Sequence, residues 1–373
     1  MKKSNQIIKK IIELNEKRIK FDAKNIDQKS KFPEYITKFL NKNDLYKLLG
    51  YHDKKKSLSA IDECLFYFEC SKYCSTVRNY FLVTIGMVGS TIFKYGSTKQ
   101  KNIYIDKIVN QNGVASLAIT EKDSGSDINS IKSNYKFDGK EFILNGKKTW
   151  ITLGGRANIF LIIANGKNGL MLFLVEKSNS IKVKRLKNII SNRGSEISEI
   201  SFKNLKIKKE NVIGLSQSKS IDALNYALMN GRAIAGISAI SMSTIALKEA
   251  SRYSIDRKQF GKPICNFQQI QGIISKSTIK IEAAKSLCEK TFQLKRKNFS
   301  EKKYFCNASK LFSSKVVIEI TSDLMQIYGA NGTSLKYNIE RYNREAQGFR
   351  YIEGTEQILN QMISNHVVLK NRF

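Results

Sequence analysis

SNYKFDGKEFILNGKKTWIT runs from Ser133 to Thr152. It breaks into short β-rich runs, punctuated by Asp138-Gly139 and Asn145-Gly146. An Asp-Gly or Asn-Gly pair between such runs is the strongest short-range hairpin signal. NIFLIIANGKNGLMLFLVEK (158–177) repeats the texture around Asn168-Gly169, and the short apolar run ASLAIT (115–120) precedes both. Residues 113–217 therefore read as an antiparallel meander closed into a small barrel or sandwich. No Gly-x-Gly-x-x-Gly follows a strand here, so a Rossmann dinucleotide fold is not supported.

The chain is helical on either side. In 1–112, Ile7, Ile8, Ile11 and Ile12 make one apolar face, and Leu45, Leu48 and Leu49 make another. FLVTIGMVGSTIF (81–93) carries no charge and suits a buried helix with small contact residues. From 218 to 373 the helical period returns. ALNYALMNGRAIAGISAISMSTIALKEASRYSI (223–255) is rich in Ala, Ile and Ser, and long helices with few breakers suggest a bundle. The expected fold class is α+β: an N-terminal helical domain, a middle β-domain and a C-terminal four-helix bundle.

A length of 373 residues exceeds one minimal core, and 42% apolar residues make the chain globular. Lys+Arg 64 against Asp+Glu 32 gives a net charge of +32. That balance invites a nucleic-acid reading, but the basic residues spread from Lys2 to Arg372 without forming one stripe. A coding bias toward AT-rich codons gives that skew without any function and is the favoured account, with a preference for acidic partners as the lesser one; a nucleic-acid-binding role explains none of the ordered motifs below. The six cysteines form no Cys-x-x-Cys pair and only two histidines accompany them, which argues against a metal site. MKKSNQIIKKIIELNEK reads as an amphipathic helix, not a signal peptide. No run is expected to span a bilayer, and the thiols are expected reduced in the cytoplasm.

Four stretches invite chemistry. LAITEKDSGSDINSIK (117–132) is an ordinary Ser/Gly/Asp turn after a strand, or a loop of amides and hydroxyls that holds an anion or the polar edge of a ring. KKTWITLGG (147–155) holds the only tryptophan, Trp150, with Thr152 on the same strand face: core, or a stacking ring beside a hydroxyl. YSIDRKQFGKPICNFQQIQ (253–271) is a helix end followed by a helix start, or Arg257 presenting a phosphate fork with Gln268 beside it. DLMQIYGANGTSLKYNIERYNREAQGFRYIEGTEQIL (323–359) gathers Gly329, Gly332 and Gly354, as caps or where backbone approaches a ligand.

In this order and spacing the motifs resemble the acyl-CoA dehydrogenase flavoproteins. The match comprises T-E-x-x-x-G-S-D (120–127), W-I-T (150–152), R-x-x-F-G-K-P (257–263) and E-G-T (353–355). It also takes in NRGSEISEISFKNLKIKKENVIG (192–214), similar to the strand pair that closes the family's β-domain. The resemblance implies FAD and a homotetramer or homodimer. Carried over residue by residue, Leu117, Ile119 and Thr120 border the flavin, Trp150 lies against it and Thr152 hydrogen-bonds near N5. Arg257, Phe260 and Gln268 cross a subunit interface to a neighbour's FAD, Gln326 and Gly329 meet its adenine half, and Thr355 and Gln357 its diphosphate. Ser126 and Arg232 face the acyl thioester. Glu353 matches the catalytic base that removes the α-proton while hydride passes to flavin N5, giving a trans-2-enoyl thioester, and Gly354 leaves room for substrate. An electron-transfer flavoprotein is the implied acceptor.

Three positions depart from the pattern. Lys122 replaces the usual proline, Met229-Asn230-Gly231 stands where many relatives carry an acid that reads CoA, and Asn365 stands where some carry arginine. These leave the same chemistry on an acyl group tethered to a carrier protein as the alternative, with an oxidase or monooxygenase on the same scaffold as a further one.

Overall fold

The computed structural model of the protein describes residues 4–42, 58–294 and 299–371. Leu45, Leu48 and Leu49 lie outside the described residues. Helix α1 (Ser4–Leu14) buries Ile7, Ile8 and Ile11, while Ile12 falls at the edge of that stripe and is exposed. Helix α2 (Ala60–Cys70) begins where Ser59 caps it by accepting from Asp62 N at 3.1 Å. The uncharged stretch is helical as read, but Tyr80–Gly89 winds in wide π-type turns, and all ten of its residues are buried.

The strands are β1 (Ala115–Ala118), β2 (Asn134–Phe137), β3 (Glu141–Ile151), β4 (Ile159–Ala164), β5 (Met171–Glu176), β6 (Ile181–Arg185), β7 (Ser198–Lys208) and β8 (Val212–Ile213). They form two four-stranded sheets, ordered β1-β4-β5-β8 and β2-β3-β7-β6. Phe160, Ile162, Phe173 and Val175 of the first share one core with Tyr135, Leu144, Ile200 and Phe202 of the second, which makes a sandwich. Two of the three turn signals mark real hairpin turns. Gly139 (φ 100°) joins β2 to β3, and Gly169 (φ 76°) lies between β4 and β5. Asn145-Gly146 is not a turn. It lies inside β3 at a register shift, where Asn145 Oδ1 accepts from Asn204 N of the partner strand at 2.8 Å. A Cβ on Gly146 would meet Ser133 Oγ at 2.1 Å, so the glycine is there for close approach. The sandwich is also not wholly antiparallel, because β1 pairs β4 in parallel after the β2–β3 excursion.

Helices α3 (Gln217–Asp256), α4 (Gln268–Leu294), α5 (Phe299–Tyr328), α6 (Ile339–Gly348) and α7 (Glu356–Lys370) follow. α3 ends before Arg257, and the Gly261 region is a two-residue hairpin instead of a helix terminus. One window of α3 is long and apolar enough to cross a membrane, against the expectation of none, but it is mostly buried within the protein. The chain divides into two compact units. One comprises Met1–Asn25, Ser59–Arg78 and Arg232–Phe373; the other comprises Ile26–Leu58 and Asn79–Gly231.

Candidate active site

The β-containing unit builds a platform from β1 and the far end of β3. Thr84, in the π-type helix, donates to Ala115 O at 2.9 Å and accepts from Ala115 N at 3.1 Å, which fixes the start of β1. Three further bonds tie the two motifs together. Ser116 Oγ donates to Thr152 O (2.9 Å), Lys148 Nζ to Ile119 O (3.0 Å) and Thr149 N to Thr120 O (2.8 Å). Leu117, Ile119, Thr120 and Thr152 are each half-buried beside these anchors. Trp150 sits on the β-bulge between Lys148 and Ile151 with φ 58°, and its side chain is thrown outward, 58% exposed. A bulge re-aims a side chain that regular alternation would place elsewhere, and β3 ends at Ile151, so simple period-two spacing does not carry from Trp150 to Thr152.

Beneath this surface lies a buried ion pair. Lys148 Nζ reaches Glu121 Oε1 at 2.8 Å, and the Glu121 carboxylate also accepts from Lys132 N and Ser133 N at 2.7 and 2.9 Å. Burial pushes the Glu121 carboxyl up, but the Lys148 and Ser133 hydrogen bonds outweigh it and hold the group below the usual carboxylate range. Burial pulls the Lys148 ammonium down to about 8 against the attraction of Glu121. Ser126 is exposed on the following loop, where Ser124 Oγ donates to Asp127 O.

The helical unit places Glu353 at the mouth of α7. Thr355 caps that helix, its Oγ1 accepting from Ile358 N at 3.4 Å. Glu353 has φ 56° and Gly354 φ 107°, so two successive residues lie in the left-handed region. For a glutamate this is strained backbone, of the kind that persists only where the surroundings impose it. Three side chains do so by binding carbonyls of the segment. Ser314 Oγ takes Phe349 O (3.1 Å), Arg232 Nε takes Glu353 O (2.9 Å) and Lys310 Nζ takes Gly354 O (2.7 Å). Arg78 stacks over the Phe349 ring at 4.5 Å.

Arg232, which the resemblance implies for the thioester, is buried in this structure. Its Nε holds the turn, and its Nη1 meets Asn307 Oδ1 at 2.8 Å and Met362 Sδ at 3.6 Å. The Glu353 carboxyl accepts no hydrogen bond among the described residues. Burial pushes it up to about 7, with Arg232 and Lys310 pulling the other way. The segment therefore presents a carboxylate with no hydrogen bond to break before it acts, titrating near neutrality: what a general base requires.

The other residues that the resemblance implies for FAD lie on the surface of this unit. Arg257, Gln268, Gln326, Gly329 and Gln357 are exposed, Phe260 is 92% exposed, and Thr355 is half-buried. Tyr253 stacks on Tyr328 with centroids 4.3 Å apart, and Asn331 Nδ2 donates to its hydroxyl at 2.9 Å. These contacts bring the stretch after α3, with Arg257 and Phe260, to the same end of the bundle as Gln326 and Gly329. Among the described residues no cluster of His, Cys, Asp or Glu is placed to hold a metal. Sequence reasoning missed Lys148, Lys310 and Asn307. The available signal was position: Lys310 falls among Cys306, Ser309, Ser313 and Ser314 on the buried face of α5.

Three family models match the chain: the acyl-CoA dehydrogenase N-terminal domain at residues 2–112, the middle domain at 116–205 and the C-terminal domain at 221–368. The chain is 30% identical over 281 residues to a glutaryl-CoA dehydrogenase of Desulfococcus multivorans, covering 74% of this chain and 72% of that one. It is 26% identical over 378 residues to a short-chain-specific acyl-CoA dehydrogenase of Clostridium acetobutylicum, covering 98% of each. The butyryl-CoA dehydrogenase structure of Megasphaera elsdenii superposes with a TM-score of 0.91 at 25% identity, covering 98% of both chains.

Proposed function

The chain belongs to the acyl-CoA dehydrogenase family, FAD-dependent oxidoreductases that act on a CH–CH group, and we propose that it desaturates an acyl thioester at Cα–Cβ with Glu353 as the α-proton base. The observation that carries this is the cation-gripped turn. Burial there pushes the Glu353 carboxyl up to about 7, and neither of its oxygens accepts a hydrogen bond among the described residues. A proton α to a thioester carbonyl is weakly acidic, and its removal needs a base positioned within hydrogen-bond reach and raised toward the operating pH.

The donor set of the platform fits a flavin. Trp150 offers a bare indole face for stacking, Leu117 and Ile119 offer apolar edges, and three hydrogen bonds hold the strands that carry them. FAD, when bound, supplies the hydride acceptor for the β-carbon. Leu117, Ile119, Thr120, Trp150 and Thr152 orient the ring system. Arg257, Phe260, Gln268, Gln326 and Gly329 reach the cofactor of a neighbouring copy, for which their exposure suits them, and Thr355 and Gln357 serve the diphosphate. Ser126 and Gly354 line the thioester's approach. The working assembly is a homotetramer or homodimer, the place of action the cytoplasm and the electron acceptor an electron-transfer flavoprotein.

CoA is the first choice of handle. The second reading, an acyl group on an acidic carrier protein, is favoured by one observation. The stretch Met229-Asn230-Gly231, where many relatives carry an acid that reads CoA, is buried and holds no charged side chain. A basic surface speeds encounter with an acidic partner.

The test follows flavin absorbance anaerobically with a panel of acyl-CoAs, then with the same acyl groups on a carrier protein. Bleaching by CoA thioesters is expected, and bleaching by carrier-bound forms alone selects the second reading. Glu353→Gln is expected to retain the flavin and lose about 10²- to 10⁴-fold in turnover. Undiminished turnover overturns the assignment of the base.

A further inference from the structure

Lys310 carries a charge that the fold does not need at that position. Its side chain is fully buried on α5, and its one hydrogen bond is to the Gly354 carbonyl. Among the described residues no carboxylate lies within ion-pair distance of its ammonium. A serine or an amide could make a neutral hydrogen bond at far lower desolvation cost. The buried cation sits at the turn that carries Glu353, whose carboxyl accepts no hydrogen bond among the described residues.

We propose that Lys310 is a positioning residue for the base: it locks the Glu353–Gly354 turn through the Gly354 carbonyl and, by its charge, tunes the ionisation of Glu353. The proposal rests on the reading of Glu353 as the base. Two successive left-handed residues form a backbone that relaxes unless held, because an L-residue there crowds its own carbonyl. Arg232 and Lys310 bind the two carbonyls of those residues from α3 and α5, so the strained turn is held at both.

The charged and titratable groups around Glu353 come from three helices. Arg232 comes from α3, with Cys306 of α5 near it; Lys310 comes from α5; and Glu356, at the start of α7, is paired with Arg350 at 3.2 Å. Arg232 stays charged throughout the accessible pH range. Lys310 is the adjustable member, because burial draws its ammonium down to about 8 while Glu353 favours its protonation. A protonated Lys310 keeps the neighbouring carboxylate ionised where burial alone would protonate it.

The experiment titrates the Glu353 carboxyl in the holoenzyme by infrared difference spectroscopy, subtracting Glu353→Gln, and records flavin bleaching by a saturating thioester against pH. Lys310→Gln removes the charge and leaves a neutral amide donor on the side chain. Both the carboxyl titration and the acid limb of the bleaching profile are expected to move up by about one pH unit or more. Lys310→Arg keeps the charge and is expected to leave the titration near its original place. Lys310→Met loses charge and hydrogen bond together, so it adds a fall in bleaching at every pH to the same upward move; if it fails to fold, the other two variants decide. A Glu353 titration that stays put in Lys310→Gln overturns the proposal and leaves Lys310 a purely structural strut. The infrared titration does not need turnover, so failure of the base assignment, read from activity in Glu353→Gln, is seen separately.

Discussion

Two lysines in this protein do the same local job with opposite electrostatic consequences. Lys148 and Lys310 are both fully buried, both donate to a backbone carbonyl and both are drawn down to about 8 by burial. Lys148 is closed off by Glu121 at 2.8 Å, and that carboxylate is itself saturated by two backbone amides. Its charge is spent inside the platform. Lys310 has no such counter-ion among the described residues, and the carboxyl its charge acts on is the one left without a hydrogen bond at Glu353. A buried cation whose partner is saturated is structural, whereas a buried cation beside an unsatisfied carboxyl acts on chemistry.

The sharpest way to break this comparison is Lys148→Met. It strands the Glu121 carboxylate in a buried site, and breaking a buried pair from one side costs about 3–5 kcal/mol. The expected result is a lowered urea midpoint and weakened flavin retention, read by absorbance after gel filtration, with the titration of Glu353 unmoved. A shifted Glu353 titration in this variant would dissolve the distinction between the two lysines.

The mirror change, Glu121→Gln, leaves Lys148 buried without its carboxylate. Its folded-state proton affinity then falls further below that of the unfolded chain. Between the two values the unfolded state binds more protons, so stability rises with pH. Urea unfolding is expected to be hardest near pH 10 and easiest near pH 7, with a steeper slope than in the parent protein. A flat profile would mean that Lys148 is held by Ile119 O and not by charge.

At the other region, Gly354→Ala tests the turn without touching any charge. A φ of 107° is strained for any L side chain, although the nearest atom to a new Cβ, Arg232 Nη2, lies an ordinary 3.6 Å away. The cost is therefore conformational, about 1–3 kcal/mol. Turnover is expected to fall while the acid limb of the pH profile stays in place, the reverse of the result for Lys310→Gln.

The motifs that carry the family resemblance were legible because each pairs an unusual residue with a fixed spacing: the only tryptophan, or a glutamate before Gly-Thr. It also disclosed the helix–β–helix order and the turns at Gly139 and Gly169. It misplaced Asn145-Gly146, because the same dipeptide that suits a hairpin turn also suits a bulge, and only Asn204 and Ser133 decide between them. The parallel pairing of β1 with β4 joins residues some forty positions apart and leaves no local trace. Lys148 and Lys310 were invisible for a different reason. Among 64 Lys and Arg residues, a buried lysine looks like every solvated one until the face it occupies is known. The strain at Glu353 was not legible: Gly354 read as a cap or as room for a ligand, and nothing local showed that the glutamate before it shares a positive φ.

The smallest expected effect concerns stability and follows from the same carboxyl. Glu353 has a folded-state value of about 7, above its value in the unfolded chain. The folded state therefore keeps this proton longer, and the stability it contributes is fully present near pH 4.5 and is lost as pH rises through 7. In Glu353→Gln no charge has to be buried. Its melting temperature is expected to match the parent protein near pH 4.5 and to exceed it by a few degrees at pH 8, measured by calorimetry on the holoprotein. The gain would be the stability given up to hold the Glu353 carboxyl unsatisfied beside two buried cations. A variant no more stable than the parent at pH 8 would instead mean that Arg232 and Lys310 already offset the burial of the charge, which would make the cations the larger influence on how this turn ionises.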